Sequence, residues 1–228
     1  MSGVHSNTTL GSGFRVRGSG QASTANGRWT LQWWMSVPRY AFIRVRTRLL
    51  LQIKVTELSR VSPTIPVRYR FGEAGDLERL GAVYPNFDES AQRAARQALD
   101  RGDWLVLGEF EGQVIFSGWV LLGAIKTGTG RIRPVSPAWA YTYRTHTVQP
   151  YRGRGVASGF YGFVGSALAV LGYDRLVCWV SDRNVASLRA HAKAGYATVG
   201  LIYEVRLIRW RTYWESRDVR QFLRRDAQ

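Results

Sequence analysis

The most informative residues of the chain run from Thr147 to Ala157, in the order Thr-Val-Gln-Pro-Tyr-Arg-Gly-Arg-Gly-Val-Ala. Alternation ends at Val148, and Pro150 forbids a strand from continuing. Gly153 and Gly155 follow, and the next residues read as a helix. The first backbone N–H groups of a helix have no internal partner and lie at the positive end of its dipole, so such a junction is a ready anion site. Glycine lets the backbone approach a phosphate without a Cβ in the way. Arg152 and Arg154 add charge. The chemistry this suggests is the holding of a pyrophosphate. A plain glycine-rich strand-to-helix turn with solvated arginines remains the alternative on these residues alone.

The elements that must position this turn can be read on either side of it. Val67, Tyr69 and Phe71 alternate as in a half-buried strand. A turn and short helix follow over 72–80, then a helix opened by Asp88-Glu89-Ser90 and ending near Gly102. Trp104–Phe110 and Gln113–Leu122 read as strands joined by the Glu111-Gly112 hairpin turn. Trp139–Val148 is a strand with alternating aromatics. Val156, Phe160, Val164 and Leu168 put one apolar face on a helix over 153–171. Arg175–Val180 is a buried strand, Asn184–Ala194 a helix stopped by Gly195, and 197–210 is strand-rich. The tail from Arg211 is arginine-dense. The order is that of a mixed α/β domain around a central sheet.

The segment 147–157 closely resembles motif A of the GCN5-related N-acetyltransferase (GNAT) superfamily, Gln/Arg-x-x-Gly-x-Gly/Ala, with Arg152, Gly155 and Ala157 at the signature positions. Residues Asn184 to Tyr196 resemble the Asn-helix-Gly-Phe/Tyr pattern of motif B. The two stand in order, separated by one helix and one strand. The resemblance spans roughly 66–210. It implies a GNAT-like α/β fold: a mixed, mostly antiparallel sheet, splayed at two parallel strands and flanked by helices. Those strands would be Trp139–Val148 and Arg175–Val180. It implies acetyl-CoA, or another acyl-CoA, as cosubstrate; it does not name the acceptor, for which an amine of a small molecule or amino sugar is expected. Thr147 and Val148 would pair with the pantetheine amides. Arg152, Gly153, Arg154, Gly155, Val156 and Ala157 would hold the pyrophosphate. Asn184 would bond the pantetheine arm or order its own helix.

Acyl transfer to an amine needs a neutral nucleophile and a proton for the leaving thiolate. The position of the family's proton-donating tyrosine is held here by His191. No glutamate stands where some members place a base; Trp179 does. Candidates for the base are His146, Glu109, Asp182 and Glu73, and His146 ends the expected cofactor strand on the face opposite Thr145 and Thr147. Cys178 reads as buried core.

The whole chain has 228 residues, 32 Lys and Arg against 16 Asp and Glu, and a formal net charge of +16. No acid occurs from Gly112 through Tyr173, where Lys126, Arg131, Arg133, Arg144, Arg152 and Arg154 do, so this stretch attracts a polyanion such as CoA. One cysteine excludes an intramolecular disulfide and a cysteine-based zinc site, and three histidines disfavour a metal centre. No metal is expected. No apolar run reaches membrane-spanning length, so a cytoplasmic protein is expected. Residues 1–34 read as an unstructured extension, with Met35 as an alternative translation start, and 35–65 as a basic amphipathic segment and linker. Residues 36–60, Arg-rich and without an acid before Glu57, pack on the domain, touch a membrane surface peripherally or form an organelle transit segment. The acyltransferase domain is then 66–228 with its arginine-rich tail. Two other readings stay open: a protein or peptide N-acetyltransferase, and a non-catalytic basic module for anionic membrane or, less favoured, nucleic acid. A dimer is compatible with the sequence, which does not fix the oligomeric state.

Overall fold

The computed structural model describes residues 43–59, 61–128, 130–207 and 210–225. The expectations for residues 1–34 and Met35 lie outside the described residues. Among these residues ten strands and four helices occur in chain order, with short 310 segments between them. The strands are β1 (Ile43–Lys54), β2 (Arg68–Gly72), β3 (Trp104–Phe110), β4 (Gln113–Leu122), β5 (Ala124–Lys126), β6 (Ile132–Pro134), β7 (Trp139–Thr147), β8 (Arg175–Ser181), β9 (Ala197–Leu207) and β10 (Trp210–Glu215). The helices are α1 (Glu89–Asp100), α2 (Val156–Val170), α3 (Val185–Ala194) and α4 (Arg217–Arg225).

Eight strands form one sheet in the order β10-β9-β1-β8-β7-β4-β3-β2, and β5 pairs with β6 as a separate ribbon. Every neighbouring pair in this sheet is antiparallel except β7 and β8, which are parallel. The sheet is thus mixed, mostly antiparallel, with one parallel pair, and helices flank it.

The apolar residues divide into two layers, one on each side of the sheet. On one side Phe160, Val164 and Leu168 of α2 and Ala194 at the end of α3 pack on Val106, Phe116, Val120, Leu176 and Cys178. On the other, α1, α4 and the 310 segment Ala74–Ala82 cover Trp119, Trp139, Tyr141, Tyr143 and Val177. Helix starts follow the side chains available: Asp88 accepts from the Ala91 N–H at 2.8 Å to cap α1, and Asn184 from that of Ser187 at 3.1 Å to cap α3. Gly195, in the left-handed region, ends α3.

The fold begins earlier than residue 66. Residues 43–54, expected as a basic segment outside the domain, are strand β1, inserted between β8 and β9 and paired with both. The physical reason is a period of two. Leu49, Leu51 and Ile53 face the α2 layer, whereas Leu50 faces the other, in register with Arg48, Arg46 and Arg44. The tail after 211 also belongs to the fold, as β10 and α4, whose Val219 and Leu223 are buried. No helix among the described residues is long and apolar enough to cross a membrane.

Candidate functional site: an opening between two parallel strands

β7 and β8 are in parallel register from Trp139↔Arg175 to Thr142↔Cys178 and no further. Each strand goes on with its outer partner: β7 with β4 as far as Thr147, and β8 with β1 as far as Ser181. The sheet therefore opens after Thr142 and Cys178. The bulge that turns β7 away is visible in the register. Ser117 faces His146 and Trp119 faces Tyr143, so Arg144 and Thr145 together oppose Gly118. Arg144 takes φ +48°, a left-handed conformation that costs a non-glycine residue on the order of 1 kcal/mol.

The chain leaves β7 through the 310 turn Gln149–Tyr151, with Pro150 in its first positions, and reaches α2 by Gly153 (φ +76°) and Gly155 (φ +79°). The Gly159 N–H is the first to enter the helical ladder, bonding Gly155 O at 2.9 Å. The six N–H groups from Gly153 to Ser158 have no partner among the described residues. Successive free N–H groups at a helix start form an anion cradle. Arg152, Gly153 and Arg154 are exposed around it. Arg152 folds back, donating from Nε to Thr147 O at 3.0 Å, and the Arg154 guanidinium lies 6.0 Å from the Tyr151 ring centroid.

A second segment braces this turn. Ser62–Ile65, expected only as a linker, lies against it: the Thr64 N–H donates to Arg154 O at 2.9 Å, and Tyr69 Oη donates to Val156 O at 2.5 Å. A Cβ at Gly155 would stand 3.2 Å from Pro63 Cα, and one at Gly159 2.8 Å from Pro63 Cγ. Gly155 is thus required twice, for its backbone conformation and for this close approach. The sequence signal for the brace was Pro63 and Pro66, which stop a strand without saying what the segment touches.

The expected site residues are distributed as follows. Thr147, Arg152, Gly153, Arg154, Gly155, Val156 and Ala157 are brought together at the turn. Val148 has no free N–H to pair with a ligand: it donates to Ile115 O at 2.9 Å, and its carbonyl accepts from Tyr151 at 3.0 Å. Asn184 orders its own helix, as the cap of α3. His191 is buried between α2 and α3, 3 % exposed. Its Nδ1 is 2.7 Å from Ser187 O, and a carbonyl only accepts, so Nδ1 carries the proton. Nε2 then accepts from the Tyr161 hydroxyl at 2.7 Å. Burial pushes this imidazole down to about 4, against the bond to Ser187 O, which favours its charged form. A proton donor needs an N–H turned toward the opening, and His191 presents none.

Glu109 is a poor base. Although partial burial opposes it, hydrogen bonds from Arg70 (3.0 Å) and Arg79 (2.9 Å) hold its carboxylate below the usual range. The same arginines hold Asp76, chiefly Arg70, which keeps it at about 2. Glu73 opens the 310 segment, and Asp182 is exposed in the turn after β8, beside Ser181. His146 is half-buried on β7, beyond the last parallel pair, with its ring 5.5 Å from that of Tyr84. It faces the α1 side of the sheet, whereas Thr145 contacts Tyr161 on the α2 side. Burial, then the charge of Arg152, lower its pKa, so it is neutral at pH 7.

Three residues meet at the opening whose convergence the sequence does not show. Tyr143 and Trp179, the first residues beyond the last parallel pair, flank it on the α1 side. Lys126 lies across it: Trp179 Nε1 donates to Lys126 O at 3.0 Å, and Lys126 Nζ sits 3.4 Å from the Tyr143 ring centroid. Nothing in their spacing links them, since the β5–β6 ribbon brings Lys126 there. A groove of about 650 Å3, lined by Phe71, Asp103, Trp104, Val170 and Leu171 among others, lies at the opposite end of α2 from the glycine turn.

No protein-family model matches the sequence, and no curated protein matches it either. Solved structures do match the fold. A GNAT-family acetyltransferase from Colwellia psychrerythraea aligns with a TM-score of 0.51 at 18 % identity, over 77 % of this chain and 60 % of the other. A conserved protein of unknown function from Staphylococcus epidermidis aligns with a TM-score of 0.52 at 12 % identity, over 72 % and 62 %. The chain thus spans about three fifths of the length of these structures. With a mostly antiparallel sheet, one parallel pair that opens, and a glycine turn leading into the following helix, the chain has the fold of the GCN5-related N-acetyltransferase superfamily.

Proposed function

We propose that the chain is an acyl-CoA-dependent N-acyltransferase, transferring an acetyl group to a primary amine. The observation that carries the reading is the row of six unpartnered N–H groups at the glycine turn, set at the end of the strand that opens from β8. A pyrophosphate fits that row: it is anionic, the N–H groups lie at a positive helix end, and Arg152 and Arg154 stand beside it. The acyl-CoA supplies an activated thioester carbonyl. Thr147 and the splayed part of β7 line the path of its pantetheine arm, and the acyl group passes between Tyr143 and Trp179 to the α1 side.

On that side His146 takes the proton of the attacking amine, directly or through one water, since burial keeps it neutral at pH 7. The C–N bond forms, the C–S bond breaks, and CoA leaves as thiolate. An alkyl thiol has a pKa of about 8.5, so this leaving group needs no dedicated strong acid. That removes the need for a proton from His191.

Titration calorimetry with acetyl-CoA tests the reading on the full chain. The wild type is expected to bind, and the Arg152→Glu, Gly155→Asp double variant to lose about 100-fold or more in affinity, because it puts two negative charges and a Cβ into the cradle. No binding of acetyl-CoA or longer acyl-CoAs by the wild type overturns it. Binding without thiol release over an amine panel returns the chain to the non-catalytic reading.

A further inference from the structure

The residues at the exit of the opening bear on what the acceptor is, given the acyl-CoA reading. Lys126 spans this exit, its carbonyl tied to Trp179 on β8 and its ammonium on the face of Tyr143 on β7. Partial burial, with Arg144 and Arg101 adding to it and Asp103 opposing, brings that ammonium down to about 8. Arg144, next along β7, is exposed on the bulge, and its charge acts on Lys126, Tyr143 and Tyr84. The strained backbone there is also pinned, since the Tyr84 hydroxyl donates to Arg144 O at 2.5 Å. Neither cation has an ion pair among the described residues.

The acids of this face are already committed. Asp103, 3 % exposed, is paired with Arg101 at 2.9 Å and accepts from the Tyr143 hydroxyl. Glu204, fully buried, is paired with Arg48 at 3.3 Å and Arg206 at 3.8 Å. Two like charges are therefore held near each other at the exit, and Asp103, the acid whose charge acts on Lys126, is already paired with Arg101. Their repulsion is relieved when an anion arrives and worsened when a cation does.

We propose that the acceptor is an amine that also carries an oxyanion, a carboxylate or a phosphate, and that Lys126 and Arg144 bind this oxyanion at the exit while the amine end faces His146 and the thioester. The inference rests on the acyl-CoA reading. It separates the chain from enzymes for polycationic acceptors, which this exit repels.

Thiol release from acetyl-CoA is measured with acceptors that differ only in the anion: amino acids against their amides, and phosphoethanolamine against ethanolamine. Spermidine and an amino sugar serve as acceptors without one. The expected result is a preference of about tenfold or more in kcat/KM for the anionic member, the better pair showing which oxyanion is read. Lys126→Gln and Arg144→Gln are each expected to remove most of that preference through the acceptor KM, with the acetyl-CoA KM unchanged, and Lys126→Arg to retain it. Amides or spermidine turned over as well as the acids, or a preference that survives both glutamine substitutions, overturns the inference. So does an acetyl-CoA complex that acylates amines lacking an anion but neither acylates any anionic amine nor is stabilised by one in thermal melts; turnover of the other amines shows in that case that the acyl-CoA reading stands. If acetyl-CoA itself does not bind, both fall.

Discussion

A single histidine shows how far a residue's role depends on what surrounds it. His191 stands in the sequence where a proton donor is expected, yet its ring gives Nδ1–H to a carbonyl and takes a hydrogen bond from Tyr161 at Nε2. Its position on α3 was legible; its burial was not, because that depends on Tyr161 and Tyr196 arriving from α2 and from the start of β9. The consequence is a pH dependence of folding. The imidazole has a folded pKa of about 4, below its unfolded value near 6.5, so the unfolded chain binds the extra proton between these values. The stability from keeping it neutral is complete above about pH 6.5 and is lost as pH falls toward 4, by roughly 3 kcal/mol in all. Chemical denaturation from pH 7 to pH 4 should show this slope in the wild type and a shallower one in His191→Phe. At pH 7.5, thiol release per bound acetyl-CoA by a folded His191→Phe variant is expected to stay within a few-fold of wild type. A loss of about 100-fold or more would return His191 to the chemistry.

At the scale of elements, the two segments that resemble the GNAT motifs were readable because each is local: a strand end, a glycine turn and a helix start lie within eleven residues, and a capped helix within thirteen. The brace over the turn was not readable, because its contacts link Thr64 to Arg154 and Tyr69 to Val156. Strand β1 was misread for a related reason. Its arginines alternate with apolar residues, and the arginines suggested an outer surface although both strand edges are paired. The brace makes its own prediction. Thr64→Pro removes the N–H that bonds Arg154 O and leaves the cradle residues untouched. Acetyl-CoA affinity should fall by about tenfold, with a smaller effect on the melting temperature than a core truncation such as Leu168→Ala, which is expected to cost about 2–5 kcal/mol. An affinity equal to wild type would mean that the turn holds its shape without the segment.

At the scale of the whole molecule, the surplus of basic residues acts as a field as well as through contacts. The net charge of +16 attracts a ligand with several negative charges, and salt screens that attraction over about 10 Å at 0.1 M. The KM for acetyl-CoA is expected to rise several-fold between about 0.05 and 0.5 M salt, with kcat little changed, because the screened term acts on encounter and binding. A KM insensitive to salt would confine recognition to the uncharged N–H row. The composition foretold this field, but the sequence could not show that Lys126 and Arg144 would converge on one exit, which the β5–β6 ribbon and the β7 bulge decide together.

The placement of β1 also bears on how the protein is made. Its two neighbours in the sheet, β8 (Arg175–Ser181) and β9 (Ala197–Leu207), are complete only some 130 and some 150 residues after β1 ends at Lys54. At a synthesis rate of about 5–20 residues per second, the ribosome exposes this strand for about 7–30 s before β9 is available. Until β8 is complete both edges, and from then until β9 is complete one edge, of a twelve-residue strand bearing Leu49, Leu50, Leu51 and Ile53 are open to other chains. Nascent chains stalled before residue 175 are therefore the species that a chaperone must shield.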